Sequence, residues 1–148
     1  MDTAVDTFAH LLTPEAGLIG LFLSAFISAT VLPGGSEAVL FALVKLHPEQ
    51  LWPAFALATL GNVLGGMSTY ALARLLPERV LEKLSPRSVA CLQRHGSPAL
   101  VLSWLPLIGD ALCLAAGWLR LSVWPCVAWI SLGKAARYGA VLAGTGLF

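Results

Sequence analysis

Leu32-Pro33-Gly34-Gly35-Ser36-Glu37-Ala38 and Leu105-Pro106-Leu107-Ile108-Gly109-Asp110-Ala111 decide the reading of this chain, because each sets a carboxylate four residues after a proline within apolar sequence. The correspondence continues downstream. Trp52-Pro53 followed by Leu60-Gly61-Asn62 is matched by Trp124-Pro125 followed by Leu132-Gly133-Lys134, with equal internal spacing. Tandem halves that each carry a broken apolar segment and a polar residue at corresponding places point to a transport or lipid-handling site at a repeat interface.

The 148 residues are 57% hydrophobic and only 11% charged, a balance too apolar for a small water-soluble domain and suited to a membrane. The stretches 17–44, 52–76, 99–119 and 123–148 are nearly free of charge, and each reaches the roughly 20 residues that cross a bilayer. A net charge of +1 argues against a nucleic-acid partner. Arg74, Arg79, Lys83, Arg87 and Arg94 crowd the central connection, which is therefore expected on the cytoplasmic side. The first sixteen residues hold Asp2, Asp6 and Glu15 with no Lys or Arg, so they lack the basic region of a signal peptide, and the first apolar segment is read as retained. Cys91, Cys113 and Cys126 show no metal-ligand spacing and read as small apolar side chains. His10, His47 and His95 are scattered, so neither a metal nor a cofactor is expected.

Val5, Phe8, Ala9 and Leu12 fall at helical spacing opposite Asp2 and Asp6, predicting a short N-terminal helix lying on the membrane surface. Thr13-Pro14-Glu15 then reads as a helix start, with an N-cap, a proline in the first turn and an acid behind it. Pro33, Gly34 and Gly35 split the first apolar segment, and Pro106 to Gly109 split the third; both are expected to fold as re-entrant hairpins. The second and fourth segments begin at Trp-Pro and read as uninterrupted transmembrane helices, and Gly61-x-x-x-Gly65 offers a face for close helix approach. The chain divides into repeat one at 14–77, a basic connection at 78–97 and repeat two at 98–148, forming one membrane domain.

Two topologies compete. If all four segments cross, the halves are parallel and both Lys45 and Arg120 are stranded outside. If the broken segments enter and leave on one side, the repeat is inverted and only Lys45 among the connecting-loop basic residues lies outside. The inverted arrangement is preferred, since it also lets the two unwound loops face each other rather than lipid.

Glu37, Asp110, Lys134 and Arg137 lie well inside the segments, where an unpaired charge costs about 2.5 to 3.5 kcal/mol on insertion scales. Leu or Ile returns only about 0.3 to 0.6 kcal/mol each, so the set persists most easily if its members neutralise one another, reach water or hold a ligand. The plain structural reading is that the two acids sit at helix starts and the two cations pair with them. In the functional reading, Lys134 and Arg137, three residues apart on one face, present donors to a phosphate, and Glu37 and Asp110 link substrate movement to protons. Asn62 stands where repeat two has Lys134, and either orients helices by a hydrogen bond or touches the ligand. Ser36, Ser103 and Thr30 are expected to satisfy backbone groups freed at the breaks. The sequence holds no Ser-His-Asp set and no phosphate-cradling loop, so it is not read as an enzyme.

Four stretches carry a family resemblance: 28–37, Gly61-Asn62-Val63-Leu64-Gly65-Gly66, 102–118, and Leu132-Gly133-Lys134-Ala135-Ala136-Arg137-Tyr138. Together they resemble the YqaA branch of the DedA family, also called SNARE-associated or VTT-domain proteins. The resemblance covers nearly everything past residue 20. It implies a multi-pass protein of the bacterial inner membrane with two opposed re-entrant loops. It also implies movement of phospholipids or lipid-linked phosphates, such as polyprenyl phosphate, between leaflets, with proton coupling. The family's first-loop glutamate falls on Glu37. Its second-loop arginines fall near Ser103 and Gly109-Asp110 here, which leaves Lys134 and Arg137 as the cations for an anionic head.

The function expected is therefore a flippase or scramblase type of lipid transporter. The alternatives are a structural or membrane-homeostasis protein whose buried ions only hold the hairpins together, and a small-solute or ion channel. A homodimer enclosing the cavity, with Gly61 on the contact face, is a further expectation for so short a chain.

Overall fold

The computed structural model describes residues 13–30, 35–82 and 84–146. The expected surface helix over residues 2–13, apart from Thr13, and the loop positions Pro33 and Gly34, with Lys83, lie outside the described residues.

Helix α1 (Pro14–Ser28) begins where the sequence places a start: Thr13 Oγ1 accepts from the Ala16 amide at 3.4 Å, Pro14 opens the first turn and Glu15 follows. At its far end the Thr30 hydroxyl donates to the carbonyls of Phe26 and Ile27, adding to the 3₁₀-type backbone bonds that these acceptors take from Ala29 and Thr30. The chain is helical again in α2 (Ser36–Leu46), whose N-cap is Gly35. A 3₁₀ turn (Pro48–Gln50) leads into α3 (Leu51–Leu75), unbroken over 25 residues.

The basic connection holds α4 (Glu78–Leu81) and α5 (Pro86–His95), with Pro86 in the first turn of α5. A 3₁₀ helix (Ser97–Trp104), α6 (Ile108–Trp118) and α7 (Val123–Ala143) complete the chain, and no strand occurs among the described residues. The all-helical class is as the sequence indicates. Among the described residues no helix is long and apolar enough to cross a membrane.

The third segment departs from expectation in two ways. Its first arm is a 3₁₀ helix, and the break is confined to Leu105-Pro106-Leu107. Leu107 turns the chain with φ 65°, a region that bulky side chains rarely occupy. Gly109 is therefore not a loop breaker: it already lies in α6, and a Cβ there would run into the Ser103 carbonyl. The glycine lets the new helix fold back tightly on the arm before it.

Helix α3 is the central element and packs against α1, α2, α6 and α7. Two apolar clusters meet on it. Ala54 and Ala58 join Leu21, Leu40, Val44, Tyr138 and Leu142, whereas Val63 and Tyr70 join Leu100, Leu112, Cys126 and Ile130. The early part of α3 thus meets the late part of α7 and the reverse holds at the other end, so the two long helices run antiparallel. Small residues bring the elements close: a Cβ on Gly61 would lie 2.6 Å from the Phe22 carbonyl oxygen, and one on Gly65 2.7 Å from that of Phe26. The Gly61-x-x-x-Gly65 face is thereby filled by α1 of the same chain, which corrects the expectation that Gly61 meets a second copy.

Candidate functional site

The two short helices α2 and α6 each place an acid in the first turn, Glu37 and Asp110, where the exposed amides and the positive end of the helix dipole favour negative charge. Neither helix carries a side-chain cap on its N-cap residue. Both acids turn instead to α7. Lys134 Nζ lies 3.5 Å from Asp110 Oδ1, and Arg137 Nη2 is paired with Glu37 Oε1. That Glu37 oxygen is buried and makes no other bond.

Exposure separates the two pairs. The Lys134 side chain is 2% exposed and that of Asp110 34%, so the ammonium is enclosed while its counter-ion opens outward. Asp110 opens onto a cleft of about 380 Å³ between α1, α3 and α6, whose walls include Ala29, Thr30, Thr69, Leu72 and Leu114. The Glu37–Arg137 pair is more evenly enclosed, at 22% and 18%. The aliphatic stem of Lys134 passes Gly66, where an added Cβ would stand 3.9 Å from Lys134 Cε.

Beside the Glu37–Arg137 pair runs a chain of neutral polar groups. Tyr138 OH is 2.9 Å from Ser36 Oγ, which in turn is 3.2 Å from Ser28 Oγ. Asn62 Nδ2 donates to the Ala25 carbonyl at 3.0 Å, and its buried Oδ1 has no hydrogen-bond partner. Asn62 thus ties α3 to α1, as one of its two sequence readings has it.

The structure brings Glu37, Asp110, Lys134 and Arg137 into two ion pairs on one helix and puts Asn62 in the adjoining interior. Thr30 serves carbonyls at the end of α1 as expected, whereas Ser103 Oγ donates at 3.5 Å to Ile130 O, a carbonyl inside α7 rather than one freed at the break. Ser36 serves no carbonyl, since its bonds are to side chains. Tyr138 is the residue the sequence reading passed over. Its signal was available: it lies four residues after Lys134, so a phenol shares the face of that cation.

A family model described as the VTT domain matches residues 16–145. The inner membrane protein YqaA of Escherichia coli is 44% identical over 128 residues, covering 86% of this chain and 90% of that protein. The protein of the same name from Shigella flexneri matches to the same extent. An uncharacterized protein of Haemophilus influenzae is 41% identical, covering 82% of this chain and 83% of its own length. No solved structure matches.

Proposed function

The chain belongs to the VTT-domain, or DedA, family, and from that premise we propose that it is a transporter of the bacterial inner membrane that moves lipids or lipid phosphates between leaflets. The reading is of a transporter rather than an enzyme. The observation that carries it is the pair of Lys134 and Asp110, in which an enclosed ammonium has its carboxylate facing a cleft. A phosphate arriving through that cleft would exchange with Asp110 for the Lys134 donors, with Arg137 available three residues on.

The membrane placement is supported by the outer surface. Ile19, Leu23, Ile27, Phe41, Leu64 and Leu132 are exposed, a surface that lipid tails would cover and water would not. The modest hydropathy of α3 has a local cause: Gly61, Asn62, Gly65 and Gly66 lower its average, and all four are buried against the protein. At about 1.5 Å per residue its 25 residues measure roughly 37 Å, enough for a hydrocarbon layer of about 30 Å. The antiparallel run of α3 and α7, corresponding helices of the two halves, favours the inverted over the parallel repeat.

Purified protein in liposomes tests the reading through the rate at which a fluorescent phospholipid exchanges leaflets. Exchange is expected with the wild type, lost in Lys134→Ala and Glu37→Gln with folding retained. Absence of exchange in a folded wild type overturns the reading, and ion conductance without exchange would favour a channel.

A further inference from the structure

A second candidate site lies on the other side of α6. Helix α5 buries Ser88 and Leu92 on its inner face and exposes Arg94, while Arg87, also exposed, lies at the edge of the cleft beneath. Beneath it runs a cleft of about 340 Å³ lined by Ser85, Arg87 and Ser88 at one end and by Leu102, Ile108 and Leu112 at the other. A neighbouring cleft of about 290 Å³ continues past Ala99 and Val101, sharing Cys91 and Leu102 with the first. The furrow is thus polar and cationic at its head and apolar along its length.

Ser88 marks the polar end. It is 6% exposed and lines the cleft, yet among the described residues its hydroxyl has no hydrogen-bond partner. Its oxygen is not fully enclosed and opens to the cleft, where a ligand oxygen could accept the hydroxyl hydrogen. Ser85, the N-cap of α5, makes no side-chain cap to the helix, and no acid stands in the first turn to answer the positive end of the dipole. Arg87 has no carboxylate partner among the described residues, and no acid lines either cleft. Leu102 and Ile108 stay exposed, at 38% and 52%, along the apolar end.

We infer that this furrow is a binding site for an anionic phospholipid, with the phosphate at Ser88 and Arg87 and an acyl chain along Leu102, Ile108 and Leu112. A free phosphate ion would use the head of the furrow and leave its apolar length uncovered, whereas a lipid satisfies both. The site faces the basic connection, where Arg74, Arg79 and Arg94 add attraction for an anionic leaflet. The inference rests on the membrane location alone and not on transport through the Asp110 cleft.

The test is a titration of the full chain in neutral detergent with short-chain phosphatidylglycerol, matched phosphatidylcholine and inorganic phosphate, with bound lipid read by native mass spectrometry. Phosphatidylglycerol is expected to be retained over phosphatidylcholine, and Arg87→Gln to weaken it about fivefold, the loss that follows from about 1 kcal/mol per basic side chain near an anionic surface. Since the Ser88 hydroxyl bonds nothing among the described residues, Ser88→Ala is expected to leave the melting temperature no lower while weakening phosphatidylglycerol. Equal retention of the two lipids, or Arg87→Gln binding as the wild type does, overturns the site. Inorganic phosphate competing as effectively as the lipid overturns it in favour of a free-anion site. Leaflet exchange measured on the same preparation keeps the two readings apart: lipid preference lost with exchange intact rejects this site alone, and the converse rejects transport alone.

Discussion

Glu37, in the first turn of α2, is paired across the two halves of the chain with Arg137 of α7, whereas Asp110, in the matching turn of α6, takes its cation Lys134 from its own half. One helix therefore holds the starts of both short helices. Any movement of α7 along or about its axis acts on both pairs together, which gives the two acids a common mechanical partner. Tyr138, one turn after Lys134, adds a neutral bond from α7 to Ser36 beside Glu37.

The Lys134–Asp110 pair is expected to respond unequally to removal of its two members. Asp110→Asn leaves a lysine that is 2% exposed without a counter-charge, and breaking a buried pair in that way costs about 3 kcal/mol or more. Lys134→Met leaves Asp110, which at 34% exposure can hydrate at the cleft, and is expected to cost about 1 kcal/mol. Thermal unfolding of both variants in detergent measures the order; Lys134→Met proving the more damaging would contradict the burial argument.

Glu37 and Arg137 are expected to be energetically coupled across the halves. A double-mutant cycle of Glu37→Gln and Arg137→Gln should give an interaction of about 1 to 3 kcal/mol, as for contacting groups in one network. A cycle that closes additively, within about 0.5 kcal/mol, would mean the contact carries no energy.

The glycines of α1 and α3 give opposite expectations for the same substitution. Gly61→Ala drives a Cβ to 2.6 Å from the Phe22 carbonyl oxygen, backbone that cannot yield without moving α1, and should destabilise by about 1–3 kcal/mol. Gly20→Ala meets nothing within 4 Å, and helix propensity should make it stabilising by up to about 1 kcal/mol. Melting temperatures that move the same way in both variants would refute the close-approach account.

Tyr138→Phe removes the hydroxyl that bonds Ser36 at 2.9 Å while keeping the ring in place. The expected loss is about 1 kcal/mol, and Ser36→Ala added to it should cost less than Ser36→Ala alone, because the bond to Tyr138 is already gone and only that to Ser28 remains to be lost. Full additivity of the two substitutions would show that the bond contributes nothing.

Local chemistry made several features legible in advance. Thr13-Pro14-Glu15 specified the start of α1 because an N-cap, a fixed proline φ and an acid near the dipole all act within one turn. The Leu-Pro motifs placed interruptions before α2 and α6, since proline and the residue preceding it resist continuing a helix, and so put Glu37 and Asp110 in first turns. The burial of Cys113 and Cys126 followed from their apolar neighbours.

By itself, then, the sequence determined the all-helical class, the interruptions ahead of α2 and α6 and the four charged residues worth following, all through interactions spanning a few residues. Only the tertiary structure decided which acid meets which cation, that residues 97–104 wind as a 3₁₀ helix, that Gly109 serves close approach and that the Gly61 face is filled by α1. Those outcomes depend on how helices far apart in sequence cross and how near they come. Such distances are set by side chains on both partners at once, and no local window of residues contains both.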